Sequence, residues 1–413
     1  MGSYLYLSTS EYRVSSRSYL MGASFNLAEG GLDRALHVLN TGDNSGWTTG
    51  ADAESQTYWS KRFGRFDMGS NIDGYIRVVI VNPDSSAPEI YSEGEARGHV
   101  AGSVYKQLRA SLNSGFYPFM NGFNSKRGVV LKGNNVTFDS YDSRNGNYGL
   151  GNINSEVTVA TPSVESDSID IGNADVYGYV ATGAGEPDVG PKGSITTYSN
   201  TGVVDKSRIT TDFYAEFPDV SVPTLISPST SIPTSGSIMG GDYELSNWTM
   251  SGNNTLVITG DTRIVVDGDI SIGGQAGVVV ASGATVAIYV SGDADISGKG
   301  ILNSSQVPSQ LVILGTNTTA GAQSLNVSGN GYLSSAVYAP NAEVTLSGGG
   351  SVGRVYGAVS AYGAKLNGNS HFSYDEALDG YNLGGAGFQV DEWVELSGVG
   401  LTPLQIDMAD YGL

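Results

Sequence analysis

Leu256-Val257-Ile258, Ile264-Val265-Val266, Ile270-Ser271-Ile272, Val278-Val279-Val280 and Val286-Ala287-Ile288 follow one another between residues 256 and 288, and the spaces between them are rich in Gly, Asp, Ser and Thr. The same short apolar runs come earlier, as Val129-Val130-Leu131, Val136-Thr137-Phe138, Val157-Thr158-Val159, Ile169-Asp170-Ile171 and Val176-Tyr177-Gly178. They return later as Leu311-Val312-Ile313, Leu325-Asn326-Val327, Val337-Tyr338-Ala339, Val344-Thr345-Leu346 and Val355-Tyr356-Gly357. Neighbouring runs lie about 6 to 10 residues apart. Strands so short and so evenly spaced do not build a large open sheet joined by hairpins. The spacing predicts a parallel β-helix, a β-solenoid, over residues 121–376, with three short strands in each coil of about 18 to 25 residues. Inward aliphatic side chains would stack on their equivalents above and below, so Val130, Val265, Val279, Ile288, Ile313 and Val337 are expected in the core. Gly and Asn would take the corners, where left-handed backbone is needed. A sandwich or barrel is the alternative arrangement.

The rhythm breaks at about 200–250, where Pro218, Pro223, Pro228 and Pro233 read as an extended strap running along the coils. It breaks again at 377–413, which carries Trp393 and several acids and reads as a C-terminal strand or tail closing back on another part of the chain. Residues 1–120 have a different texture. Leu20, Ala23, Leu27, Ala28, Leu32, Ala35, Leu36 and Leu39 recur at three- and four-residue steps and predict a helix that stops at Asn40-Thr41-Gly42-Asp43-Asn44. Tyr4, Leu5, Tyr6, Leu7, Tyr12, Tyr19, Met21 and Phe25 spread around the first half of that helix, which therefore expects partners on several sides. Tyr75–Val81, Glu89–Arg97 and Val100–Leu112 alternate as antiparallel strands. The expected fold is mainly β: a long helix with an antiparallel sheet, then parallel coils.

Composition narrows the function. Of 413 residues 58 are Gly, yet no G-X-Y period exists, and only 15% are charged. A formal net charge of −20 repels phosphate backbones and anionic lipid, so no direct nucleic-acid contact is expected. The chain has no Cys, which removes disulfides, thiolate metal sites and cysteine nucleophiles together. No apolar run of about 18 residues exists to span a membrane, and no signal peptide is visible.

The run Ala23-Ser24-Phe25-Asn26-Leu27-Ala28-Glu29-Gly30-Gly31-Leu32-Asp33-Arg34-Ala35-Leu36 resembles the end of the N-terminal helix of PilX-like type IV pilus assembly proteins, the minor pilins. Leu131-Lys132-Gly133-Asn134 followed by Asp139-Ser140-Tyr141-Asp142-Ser143 is similar to the start of the solenoid in a β-helical subgroup of that family. Val337-Tyr338-Ala339-Pro340-Asn341-Ala342, Tyr356-Gly357-Ala358-Val359 and His371–Leu378 resemble its last coils, and Val394-Glu395-Leu396 its C-terminal strand. The likeness spans most of the chain, weakly at 40–120 and 185–250. It lacks the family's prepilin-peptidase site and hydrophobic half-helix, so the resemblance implies a membrane-anchoring segment ahead of residue 1.

No residue set stands out as catalytic. His37, His99 and His371 are scattered, without His-x-x-x-His spacing. His371 lies near Asp375 and Glu376, where it is expected to fix the last coil rather than act as a base or metal ligand. Asp261, Asp267, Asp269, Asp293 and Asp295 sit in Gly-Asp turns that offer oxygens to calcium, yet no spacing matches a known calcium loop. A polysaccharide lyase would need cations, and between 251 and 350 only Arg263 and Lys299 are basic. A glycosidase would need two convergent carboxylates, and none is singled out. Asn135, Asn247, Asn253, Asn303, Asn317 and Asn326 begin Asn-x-Ser/Thr sequons and read as corners rather than glycan sites.

The expectation is a non-catalytic minor pilin or pseudopilin with no cofactor. Its helix would meet other pilin subunits, and its solenoid would present a surface to a glycan or cell-surface ligand. It would be extracellular or periplasmic, anchored in the inner membrane before assembly. The alternative is a β-helical carbohydrate-active enzyme or a free secreted adhesin.

Overall fold

A computed structural model describes residues 2–52, 55–69, 71–85, 87–98, 102–119, 121–133, 135–149, 151–329, 332–348, 353–368, 370–383, 387–396 and 406–413, with helix side chains from residue 11. The chain is mainly β, with one N-terminal helix and an antiparallel sheet followed by a parallel-stranded region. It forms two compact units. One comprises Met1–Phe116 and Leu383–Leu413, the other Tyr117–Asn382. Residues 383–413 group with the first unit.

In the first unit the helix Gly2–Thr41 lies on a sheet of β1 (Thr48–Ala51), β2 (Thr57–Asp67), β3 (Ile72–Val81), β4 (Glu89–Gly98) and β5 (Gly102–Ser114). The strand Phe388–Leu396 completes it beside β5, and every neighbour is antiparallel. Thr41 closes the helix by donating its hydroxyl to the His37 carbonyl at 2.8 Å, and Gly42 turns away with φ 68°. Leu20, Ala23, Leu27, Ala35 and Leu39 bury the stripe against Ile76, Val78, Ile80, Ile90, Ala110 and Leu112. The approach is close at Gly94, where a Cβ would stand 2.0 Å from the Ser24 carbonyl oxygen. On the opposite sheet face Val79 and Val81 pack with Met408, flanked by Ile406, Tyr411 and Leu413.

The second unit is built on parallel pairing. Strand Thr262–Val266 pairs with Val286–Val290, and that with Leu311–Gly315, in one ladder. Ile270–Ile272, Ala294–Ile296 and Gln323–Gly329 form a second, and Thr255–Ile258, Gly277–Val280 and Gly300–Asn303 a third. The three advance together, and hydrogen bonds from Thr285 to Asp261 and from Asp293 to Asp269 both span 24 residues. Register places Ile264, Ile288, Ile313, Val337, Val359, Phe123, Val159 and Val180 in one buried row. Burying each of these side chains stabilises by roughly 1.5–3 kcal/mol, which is what selects the stacking.

That row does not follow chain order. The chain starts in the middle with β6 (Gly122–Lys132) and β7 (Thr137–Tyr141), then winds outward through Asp175–Thr182 to Ile209–Thr210. Residues 211–235 carry it back along the ladder to the far end. On the way the Tyr338 hydroxyl donates to the Pro218 carbonyl at 2.6 Å, and the Ile226 N–H donates to Asp242 at 2.7 Å. The strands after the strap then return toward the first ones. Gly353–Asn367 stacks on β6 and Ser370–Asp375 on β7, closing a seam between two parallel-stranded stretches of the chain.

Two of the expected core residues face outward. Val129 and Leu131 are inside and Val130 is not, and Val278 and Val280 are inside and Val279 is not. Alternation over three apolar residues leaves the choice of face open. Val265, Ile288, Ile313 and Val337 are buried as expected.

Candidate functional site

Two regions bear on function: the free part of the helix and the seam. On the helix, residues 11–19 are exposed apart from half-buried Ser16, and Leu20 is the first buried residue. Tyr12, Val14, Tyr19 and Met21 are 61%, 70%, 55% and 42% exposed. Apolar side chains on this stretch of helix form a face without a partner among the described residues of its own unit. Tyr4, Leu5, Tyr6 and Leu7 lie outside the residues whose side chains are described. No helix among the described residues is long and apolar enough to cross a membrane.

At the seam, Phe123, Phe138 and Phe372 meet in the interior with ring centroids 5.0 to 5.3 Å apart. On the outer row, register sets Tyr356, Ser373 and Asp139 side by side. Tyr148 folds over Asp139 and donates its hydroxyl to Oδ2 at 2.6 Å. The rings of Tyr141, Tyr148 and Tyr356 pack on one another beside it, and the Arg354 guanidinium lies 5.2 Å from the Tyr148 ring centre. Burial pushes Asp139 up to about 6, against the opposing pull of Ser373, Tyr148 and Arg354. Ser373 is near enough to favour the ionised form, yet neither its Oγ nor Asp139 Oδ1 completes a hydrogen bond. Sequence reasoning passed over Asp139, because nothing in the pattern says that a loop will cover it.

The candidate trio near residue 371 does not converge on one point. His371 Nδ1 hydrogen-bonds Thr137 Oγ1 across the seam, and burial holds its pKa below the usual value. Asp375 is fully buried and accepts from the N–H groups of Ser143 and Ala377 at 2.9 and 3.2 Å. Its carboxyl is raised by burial. Glu376 accepts from the Ser140 hydroxyl at 2.7 Å and the Asn154 amide at 2.9 Å. All three tie the strand Ser370–Asp375 and the turn after it to β7 and the residues that follow it. His37 is exposed, and His99 lies outside the described residues.

The turn aspartates act between successive strands. Asp261 accepts from Thr285, Asp269 from the Asp293 N–H, and Asp293 from the Ser324 N–H. Among the described residues no three His, Cys, Asp or Glu side chains gather as metal ligands. Arg263 is held by both oxygens of Asp242 at 2.8 and 2.6 Å, and Lys299 is exposed. Of the sequon residues, Asn303 is buried and donates to the Val307 carbonyl, Asn247 receives the Asp269 N–H, and Asn317 donates to the Ser291 carbonyl.

Residues 219–381 match the model of a family described as a domain of unknown function, DUF7305. No curated protein matches the chain. Among solved structures, the competence-associated pilin ComZ from Thermus thermophilus aligns over 90% of this chain and 96% of its own, at 10% identity and a TM-score of 0.29. At that score the alignment does not define a shared fold.

Proposed function

We propose that the chain is a non-catalytic, pilin-like component of an extracellular filament, and that its parallel strands wind as a β-solenoid presented for contact. The observation that carries this is the helix: its second half is buried on an antiparallel sheet, and its first half bears exposed Tyr12, Val14, Tyr19 and Met21. A filament uses such a helix by packing the free half among copies. The likeness of residues 23–36 to minor pilins supports the same reading. The engagement of His371, Asp375 and Glu376 in strand-to-strand hydrogen bonds supports a role without turnover or cofactor.

Absence of cysteine makes the test direct. Val14→Cys and Val203→Cys place single thiols on the free helix half and on the ladder surface, both exposed in the isolated chain. In sheared surface filaments of cells producing each variant, the helix thiol should resist a maleimide and cross-link between neighbouring copies, while the ladder thiol labels freely. Equal labelling of both, or no chain in the filament fraction, overturns the reading.

A further inference from the structure

Three side chains far apart in sequence meet beside the seam: Lys126 on β6, Asn341 at the bend in strand Tyr332–Gly348, and Asp219 on the returning strap. Lys126 Nζ donates to Asn341 Oδ1 at 3.1 Å. Asn341 Nδ2 donates to Asp219 Oδ1 at 2.6 Å and to the Asn317 carbonyl at 2.9 Å. Asn341 is only 4% exposed, Lys126 is half-buried, and Asp219 faces solvent. The backbone of each partner is held in place. The Gly321 N–H donates to the Asn341 carbonyl at 2.8 Å, Tyr338 pins Pro218 next to Asp219, and Arg127 pairs with Glu343 at 2.6 Å on either side of the bend.

We propose that Lys126 and Asn341 form an intramolecular amide cross-link, with Asp219 as the proton-transfer group. An amine attacks a carboxamide only when it is unprotonated, close, and facing a polarised carbonyl. Burial favours the neutral amine at Lys126, while the Asp219 carboxylate nearby opposes that trend and offers itself as the proton acceptor. The bond from Nζ to Oδ1 draws electron density from Asn341 Cγ, the atom to be attacked. Both N–H groups of Nδ2 are already oriented, one of them on Asp219, which can return the proton to that nitrogen as it leaves.

The step balances without any other reactant. Lys126 gives one proton to Asp219, and its Nζ lone pair forms a bond to Asn341 Cγ. The tetrahedral centre then collapses, the Cγ–Nδ2 bond breaks, and Nδ2 takes the proton from Asp219 and leaves as ammonia. The second Nζ proton passes through the regenerated carboxylate to water, leaving a secondary amide. Nothing is oxidised or reduced. The product would join the two halves of the ladder by a covalent bond between residues whose separation in sequence is 215.

The test is the mass of the whole folded chain. The wild-type protein should be one ammonia lighter than its sequence, and a protease digest should contain a branched peptide joining the segments around Lys126 and Asn341. On a denaturing gel the closed chain should migrate ahead of its Lys126→Arg variant. Asp219→Ala sits on the exposed strap, keeps both reacting partners, and should fold with the full sequence mass. A folded wild-type chain that holds the full mass after prolonged incubation at mildly alkaline pH overturns the proposal. So does an ammonia loss that survives Lys126→Arg, since an asparagine cyclising on its own backbone would then be its source. If Lys126→Arg does not fold, the branched wild-type peptide and Asp219→Ala decide the matter.

Discussion

Asp139 shows how one covered carboxyl sets a pH dependence. Folded, it keeps its proton up to about pH 6, whereas unfolded it would release it near 3.8. Its stabilising contribution is therefore complete below about pH 4 and is lost as pH rises through about 6, a change on the order of 2–3 kcal/mol. Asp375 is shifted in the same direction by burial and adds to the same slope. Asp139→Asn should flatten the fall in urea-unfolding free energy between pH 4 and 7, while the Tyr148 hydroxyl keeps an acceptor. An unchanged slope would show that the seam carboxyl is not the titrating group. The interior of the same seam sets a second expectation. Phe138→Ala removes one ring of a mutually packed three-ring cluster and should cost about 3–5 kcal/mol, whereas outward Val279→Ala should cost about 1 kcal/mol or less. Equal losses in denaturant midpoint would mean that the inside and outside of the strands have been assigned the wrong way round.

Among the elements, the helix divides into two regimes. Amide exchange should be fast through 11–19 and slow through 23–39, because only the second stretch is covered by the sheet. Uniform protection in a monomer would contradict the division. Two glycines separate packing from propensity. Gly94→Ala forces β4 away from the helix and should cost about 1–3 kcal/mol, while Gly30→Ala meets nothing within 4 Å and should raise stability by about 0.5–1 kcal/mol. Thermal unfolding of the pair checks both signs. Much of this was legible from periodicity: the Leu20–Leu39 stripe, the alternation in β3 to β5, and the short apolar runs of the second unit all name their elements. The side of a strand was less legible, as Val130 and Val279 show, because three apolar residues in a row carry no phase. The partners of a strand were not legible at all. Nothing in Gly122–Lys132 announces that Gly353–Asn367 will lie against it, nor that Lys126 will reach Asn341 and the strap.

For the whole second unit, the returning strap poses the question of what joins the two halves of the ladder. The seam rests on backbone pairing along β6 and β7 and on the stacked phenylalanines, so the strap is not needed to hold it. In the Lys126→Arg variant, a protease site inserted beside exposed Tyr214 should yield a nicked protein whose two pieces, paired at the seam and through Phe388–Leu396 on β5, still elute as one species under native conditions. Separation into two fragments would show that the strap carries the association. The placement of the seam also has a mechanical meaning. The chain reaches the ladder at Gly122 and leaves it after Asp375, on neighbouring rungs, although the ladder extends away from them in both directions. Tension applied through those two connections loads only the rungs between them. The strands farther along the ladder in either direction lie outside that load path.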